Sequence, residues 1–124
     1  MWSFRPDRRD DVQAAGTRGP AYVPYQPTTS TTGAILPTSG FVVLSGATTA
    51  RTLAAPTEDG QVLEITSATA TVFVITATSL IQDGVTGGAK TTMTFTGGFV
   101  GSSIKLRAYN GTWYVICKNV VAIT

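Results

Sequence analysis

From about Phe41 to the C-terminus, apolar and β-branched residues alternate with polar ones in short runs separated by Gly, Asn or Asp. A period of two is typical of β-strands, and these separators are typical of turns. The pattern predicts eight strands: Phe41–Ser45, Thr48–Ala54, Gln61–Ser67, Thr71–Thr78, Thr91–Thr96, Ser102–Tyr109, Thr112–Lys118 and Val120–Ile123. Eight short strands favour an all-β fold, either an antiparallel β-sandwich or a barrel.

The first 38 residues have a different composition. Charges are concentrated before residue 19, and the following segment to residue 40 is rich in proline, threonine and tyrosine. Proline-rich chain favours extended, polyproline-like conformations and cannot form a core by itself. We therefore expect two parts, an extended N-terminal arm over residues 1–38 and a β-domain over residues 39–124.

The strongest local signal is Asn110-Gly111. A type I′ turn needs positive φ at both central residues, and this pair supplies it at low steric cost, so we predict a two-residue hairpin. Its register would pair Tyr109 with Thr112 and, with strict alternation, would continue to Ile104 opposite Cys117. The inward face would be apolar and the outward face more polar. The predicted inward residues are Ile104, Leu106, Ala108, Trp113, Val115 and Cys117, and the outward ones are Lys105, Arg107, Tyr109, Thr112, Tyr114 and Ile116.

Trp113 has two interpretations. It is most simply a core anchor of the hairpin, but an aromatic residue at the rim, beside Tyr109 and Asn110, could also stack on a sugar. On the outward face, Arg107 would lie across Tyr114 as a cation–π pair. The lone thiol of Cys117, on the predicted core face, is expected to be a small buried group and not a nucleophile.

The strand over Thr71–Thr78 is apolar on both faces, with Val72 and Val74 alternating with Phe73 and Ile75. A domain of this size has little material to cover both faces, so the strand is either central or covered by a neighbouring subunit. Long uncharged edge strands also aggregate unless they are paired. Self-assembly into a closed oligomer would solve both problems.

Candidate chemistry is sparse. The chain of 124 residues contains no His and one Cys, and only 13% of its residues are charged. The carboxylates of the β-region are Glu58, Asp59, Glu64 and Asp83; the first two are adjacent in a turn, and Asp83 lies in a loop. Catalysis needs convergent ionisable groups, and a metal site needs several ligands at close spacing. We therefore expect no enzymatic activity, no catalytic residues, no cofactor and no metal.

Charge and hydropathy also bear on partners. A net charge of +2 is too small to predict nucleic-acid binding, and no apolar run reaches the length of a membrane span. The N-terminal residues lack the apolar centre of a secretory signal. We expect synthesis in a cytoplasmic compartment, with neither a nucleic acid nor a membrane as a partner.

The arm contains residue types that anchor protein interfaces. Large aromatic and arginine side chains are interleaved there, and an extended segment loses little entropy on docking. Asp7, Asp10 and Asp11 nearly cancel the positive charge, which favours a protein partner over a nucleic acid. The predicted interaction residues of the arm are Trp2, Phe4, Arg5, Arg8, Arg9, Tyr22 and Tyr25.

Several segments together resemble a β-domain of tailed-bacteriophage structural proteins. They are residues 60–70, Asp83-Gly84, residues 94–97, residues 101–106 and residues 108–115. The resemblance covers about residues 40–124 and includes head decoration, or cement, proteins and fibre-like virion proteins. It implies a β-sandwich or jelly-roll domain that assembles as a homotrimer.

This resemblance implies a structural virion protein on the capsid exterior. The leading hypothesis is a capsid decoration protein that binds the major capsid protein through the arm and stabilises the shell. The alternative is a tail or head fibre component that binds a host receptor or glycan. In that alternative, Trp113, Tyr109 and Asn110 would contact the sugar.

Overall fold

The computed structural model describes residues 27–31, 33–97 and 99–124, and its regular structure is entirely β. The all-β fold class is confirmed, and every predicted strand is present, although β6 continues four residues further than predicted. The strands are β1 (Pro27–Ser30), β2 (Ala34–Ile35), β3 (Gly40–Leu44), β4 (Ala50–Leu53), β5 (Val62–Ser67), β6 (Phe73–Gln82), β7 (Lys90–Phe95), β8 (Ser103–Tyr109), β9 (Thr112–Asn119) and β10 (Val121–Ile123).

The strands form one mixed sheet that nearly closes into a barrel. Its order is β1-β3-β5-β8-β9-β6-β4-β2, with β7 paired to β6 and β10 paired to β7. The first six strands alternate between two halves of this sheet, so β1, β3 and β5 run parallel in one half and β2, β4 and β6 run parallel in the other. The later strands form antiparallel pairs, except that β9 is parallel to β6.

The mixed sheet differs from the predicted antiparallel arrangement. Each of the first six strands is followed by one in the opposite half, so neighbours among these six strands within each half point the same way. Side-chain alternation has the same period in parallel and antiparallel strands. The hydrophobic pattern therefore locates strands without giving their pairing direction.

The sheet begins inside the segment that was predicted to be arm. β1 pairs with β3, placing Thr29 opposite Val43, and Ile35 of β2 is only 4% exposed in the core. Pro27 is compatible with a strand here because β1 lies at the sheet edge, where a missing N–H costs no ladder hydrogen bond. The predicted division between residues 38 and 39 thus falls between β2 and β3, within the sheet.

One apolar core lies between the two halves. Trp113, Phe73 and Phe95 are its largest apolar members, and each is fully buried. The smaller members come from β2 to β8 and from β10, whereas β9 contributes Trp113: Ile35, Val42, Leu44, Leu53, Leu63, Ile65, Ile75, Ala77, Ile81, Met93, Ile104, Leu106, Ala108 and Val121. Burying each large apolar side chain contributes roughly 1.5–3 kcal/mol.

β6 belongs to both halves. Its first part pairs with β4 and β7, whereas Ile81 and Gln82 pair with β9. The register against β7 shifts between Thr76 and Ile81, and Ser79 within this bulge has a φ of 55°. Bulges bend strands and increase their twist, which lets β6 leave one half and join the other.

Arg51 is a charged residue of the core that the sequence pattern had not identified. It lies on β4 with 1% of its surface exposed, and its guanidinium carbon is 5.0 Å from the Phe73 ring centroid. Nε donates to the Thr48 carbonyl oxygen at 2.7 Å, and Nη2 donates to that of Ser45 at 2.8 Å. Burial lowers the pKa of Arg51, although a guanidinium remains protonated in proteins. Through these two hydrogen bonds, Arg51 holds the loop before β4 against the core.

Replacing Arg51 tests this anchoring. Arg51→Met keeps an apolar stem but leaves two backbone carbonyls without their donor, so we expect a loss of roughly 1–3 kcal/mol in the free energy of unfolding. Urea denaturation would measure it. Thr52→Ala, at the exposed neighbouring position, is the control and should change little. Equal stability of Arg51→Met and wild type would contradict the anchoring role.

The loop after β6 is held by one carboxylate. Asp83 Oδ1 accepts from the Val85 N–H at 3.0 Å and from Lys90 Nζ at 3.4 Å. The backbone hydrogen bond from Val85, aided by Lys90, lowers the pKa of Asp83, although desolvation acts in the opposite direction. The folded pKa is thus lower than the unfolded one. Its stabilisation is present above the ordinary aspartate range, roughly pH 4, and is lost as pH falls through the lowered value.

Asp83→Asn should reduce this acid sensitivity. The amide oxygen can still accept from Val85 but cannot titrate, so the variant should lose less stability than wild type as pH falls from 7 to about 2. Urea midpoints at several pH values would measure the difference. Glu58→Gln, which removes an exposed carboxylate from the turn before β5, is the matched control. A wild-type pH profile in Asp83→Asn would contradict the assignment.

Candidate interaction surface

The hairpin of β8 and β9 forms as predicted at its tip. Asn110 and Gly111 have φ values of 52° and 75°, as a type I′ turn requires. The predicted register holds from Tyr109 opposite Thr112 to Leu106 opposite Val115. The turn before β5 braces the tip, because the Asn110 N–H donates to Asp59 Oδ1 at 2.7 Å.

Trp113 is a core residue and not a surface residue. It is 0% exposed, and its indole N–H donates to the Ala54 carbonyl oxygen at 2.9 Å. It also lies opposite Ile81, where β6 joins β9. The core interpretation is therefore confirmed. The sugar-stacking interpretation of Trp113 is wrong, because its ring has no exposed face.

A bulge changes the second part of β9. Lys105 lies opposite Cys117 and Ile104 opposite Lys118, so Ile116 is the extra residue. One inserted residue reverses the faces of all residues that follow it. Cys117 consequently points outward and is exposed, and the prediction that it is a buried core thiol is wrong.

The outward side of this hairpin is the candidate interaction surface. We define the hairpin face as Arg107, Tyr109, Tyr114 and Ile116, which line a shallow depression of about 310 Å³. All four were predicted to point outward. Tyr109 is 61% exposed and Ile116 53% exposed. The face is thus an apolar and aromatic surface with one guanidinium.

The aromatic contacts differ from those predicted. Arg107 and Tyr114 are cross-strand partners, as expected, but Tyr114 packs edge to face against Tyr109, with ring centroids 6.1 Å apart. The cation–π contact found in the described part of the chain is that of Arg51 with Phe73. Arg107 is exposed, so its guanidinium faces solvent beside the two tyrosine rings.

Charge pairing on this side of the sheet is incomplete. Lys105 Nζ lies 3.6 Å from Glu64 Oε2 on the neighbouring strand. Arg107, in contrast, has no ion pair with any residue that the structure describes. Tyrosine and arginine are enriched among residues that dominate protein interfaces. The hairpin face therefore combines an exposed guanidinium with exposed tyrosine rings, residue types that are common in protein interfaces.

The other predicted site residues fall outside this surface. The arm residues Trp2, Phe4, Arg5, Arg8, Arg9, Tyr22 and Tyr25 lie outside the described residues, and their role stays a prediction. Within residues 27–31, 33–97 and 99–124, no three His, Cys, Asp or Glu side chains are grouped to hold a metal ion. The same residues contain no helix long and apolar enough to cross a bilayer.

Comparisons of the chain with protein-family models, with curated proteins and with solved structures find no match. The resemblance to bacteriophage structural proteins rests on the strand and turn segments of this chain, and it stays a prediction.

Thiol labelling tests the bulge in β9. Native protein should react with a thiol reagent at a rate close to that of the unfolded chain, because Cys117 is exposed. Ala108→Cys in a Cys117→Ser background is the control, since Ala108 is 2% exposed and its replacement should be protected. Slow labelling of native Cys117 would contradict the exposed position.

Proposed function

We propose that this protein is a structural virion protein that decorates and stabilises a capsid. Its partner would be the major capsid protein, contacted from the capsid exterior by the N-terminal arm and by a trimeric β-domain. The observation that carries the proposal is the hairpin face, which presents Arg107 and two tyrosines on a hairpin whose tip is hydrogen-bonded to Asp59. The resemblance to virion β-domains supports the choice of partner.

The proposed mechanism is multivalent binding. Four side chains form a surface smaller than that of an ordinary stable interface, so a single hairpin face should bind weakly. When the arm of the same chain docks as well, the second contact becomes intramolecular and the overall avidity rises. A trimer multiplies this effect, because each subunit that binds raises the effective concentration of the others.

One observation favours the alternative, a fibre component that binds a host receptor or glycan. Tyr109 and Tyr114 are exposed aromatic residues beside Asn110, and aromatic faces can stack on sugars. The buried Trp113 cannot take part. A glycan array with wild type and Tyr109→Ala distinguishes the two functions: a sugar signal lost in the variant would favour the alternative.

Deleting residues 1–25 tests the role of the arm. We expect the truncated chain to lose binding to shells prepared without this protein, yet to remain a soluble β-oligomer, because the deletion ends before Pro27, the first residue of β1. Co-sedimentation with such shells measures binding, and circular dichroism checks the fold. In the same assay, Arg107→Glu should weaken binding, whereas Thr52→Glu on the other half of the sheet should not.

Each outcome addresses a separate part of the proposal. Retained binding by the truncated chain would contradict the arm as anchor. Unchanged binding by Arg107→Glu would contradict the hairpin face as a contact. Copy number per virion decides between the two functions, because decoration proteins occur in hundreds of copies and fibre components in few.

A further inference from the structure

Several loops meet at one end of the barrel. The Ala68 N–H donates to the Leu44 carbonyl oxygen at 2.9 Å, and the Gly101 N–H donates to that of Ser67 at 2.7 Å. The Val74 N–H donates to the Thr49 carbonyl oxygen at 2.9 Å. These bonds join the loops that follow β3, β5 and β7 into one surface.

This end also includes the turn after β9. The Thr96 N–H donates to the Val120 carbonyl oxygen at 3.4 Å. A Cβ at Gly97 would lie 2.6 Å from Val72 Cγ2, so only glycine allows the two loops to approach this closely. We call this surface the uncharged end. It comprises Thr31, Gly33, Val120 and residues 45–49, 68–72, 96–97 and 99–102.

Four large apolar side chains of the uncharged end face solvent. Phe99 and Val100 are 52% and 69% exposed, and Val72 and Val120 are 46% and 39% exposed. They belong to the three neighbouring connections after β5, β7 and β9. Clustered apolar groups at a surface mark an interaction site more often than single exposed ones do.

The two ends of the barrel differ in charge. None of the residues of the uncharged end is ionisable, and the charged residues closest along the chain are Arg51, which is buried, and Lys118. The loops at the opposite end contain Glu58, Asp59 and Asp83. The hairpin tip belongs to that opposite end, where Asn110 meets Asp59.

The absence of charge indicates which partner fits. Around a rotation axis, each residue near the axis meets its own copy, so any charged residue there would face a like charge. An uncharged apolar surface avoids this repulsion, and depletion of charge is typical of the centre of an interface. A partner selected by charge complementarity would find no group to pair with here.

We propose that copies of this chain associate with one another through the uncharged end, with Phe99 and Val100 in the contact. The inference rests on the proposed oligomeric decoration protein and assigns the surface that holds its subunits together. A contact through the uncharged end leaves the hairpin face and the opposite end of the barrel free to bind the shell. The two binding surfaces are then separate, since the hairpin face lies on the outward side of β8 and β9.

Sedimentation of the full chain tests the assignment. Wild type should sediment as an oligomer, and the double variant Phe99→Asp, Val100→Asp should dissociate at least about ten-fold more readily, because like charges would meet in the contact. Val85→Asp is the matched control: Val85 is 63% exposed in the loop at the opposite end, and its replacement should leave self-association unchanged. Circular dichroism and urea denaturation check that each variant folds.

A conservative variant keeps the test valid if the charged variant fails to fold. Val100→Cys in a Cys117→Ser background places a single thiol on the uncharged end. We expect maleimide labelling of this thiol to slow at least about ten-fold between a dilution that favours monomers and a concentration that favours oligomers. Val85→Cys in the same background should label equally at both concentrations.

The outcomes separate the two proposals. A wild-type chain that stays monomeric up to about millimolar concentration would overturn both the oligomer and this surface. An oligomer that persists in the charged variant, with Val100→Cys labelled equally at both concentrations, would overturn the surface and leave the oligomer standing. Slower labelling of Val100→Cys alone, with the Val85→Cys control unchanged, would support the assignment.

Discussion

The near closure of this barrel depends on β6, whose pairing with β9 joins the two halves of the sheet. Near its start, β6 pairs with β4 and β7; near its end, Ile81 lies opposite Trp113 of β9. The strand passes from one half to the other at the bulge around Ser79. The Ser79 N–H donates to the Thr91 hydroxyl at 3.2 Å, so it keeps a hydrogen bond there. Without this bend, the largest apolar side chain would lose its partner across the sheet. The packing of the core and the placement of the hairpin outside it therefore both depend on this bend in β6.

Local signals in the sequence predict most of the strands and the hairpin tip. The alternation of apolar and polar residues predicts eight strands. Asn110-Gly111 predicts a turn that needs positive φ at both central residues, a requirement that few residue pairs meet. Pairing direction is not local: β3 and β5 are parallel because β4 lies between them in the other half. The sequence predicts β1 as part of the arm because the proline- and threonine-rich composition of this segment favours extended chain that forms no core by itself.

The candidate surface was predictable up to the bulge and not beyond it. The register counted from Asn110 predicts the outward orientation of Arg107, Tyr109 and Tyr114. The structure places all three as expected. Ile116 was expected to face outward opposite Lys105; it does face outward, but as the inserted residue. Cys117 then takes the position opposite Lys105. Nothing in the local sequence marks this bulge, since its position depends on how β8 lies between β5 and β9.

The distribution of charge gives the small domain two different kinds of surface. An exposed arginine beside tyrosines can select a partner by charge as well as by shape, which suits contact with a different protein. An uncharged apolar end suits contact between identical chains, where charge selectivity would become self-repulsion. Arg51 shows that the fold tolerates a charge near this end when the charge is turned inward, over Phe73 and onto the carbonyls of Ser45 and Thr48. Burial of that guanidinium keeps the end outwardly neutral, so the same residue that anchors the loop also keeps its charge off the surface that we propose for self-association.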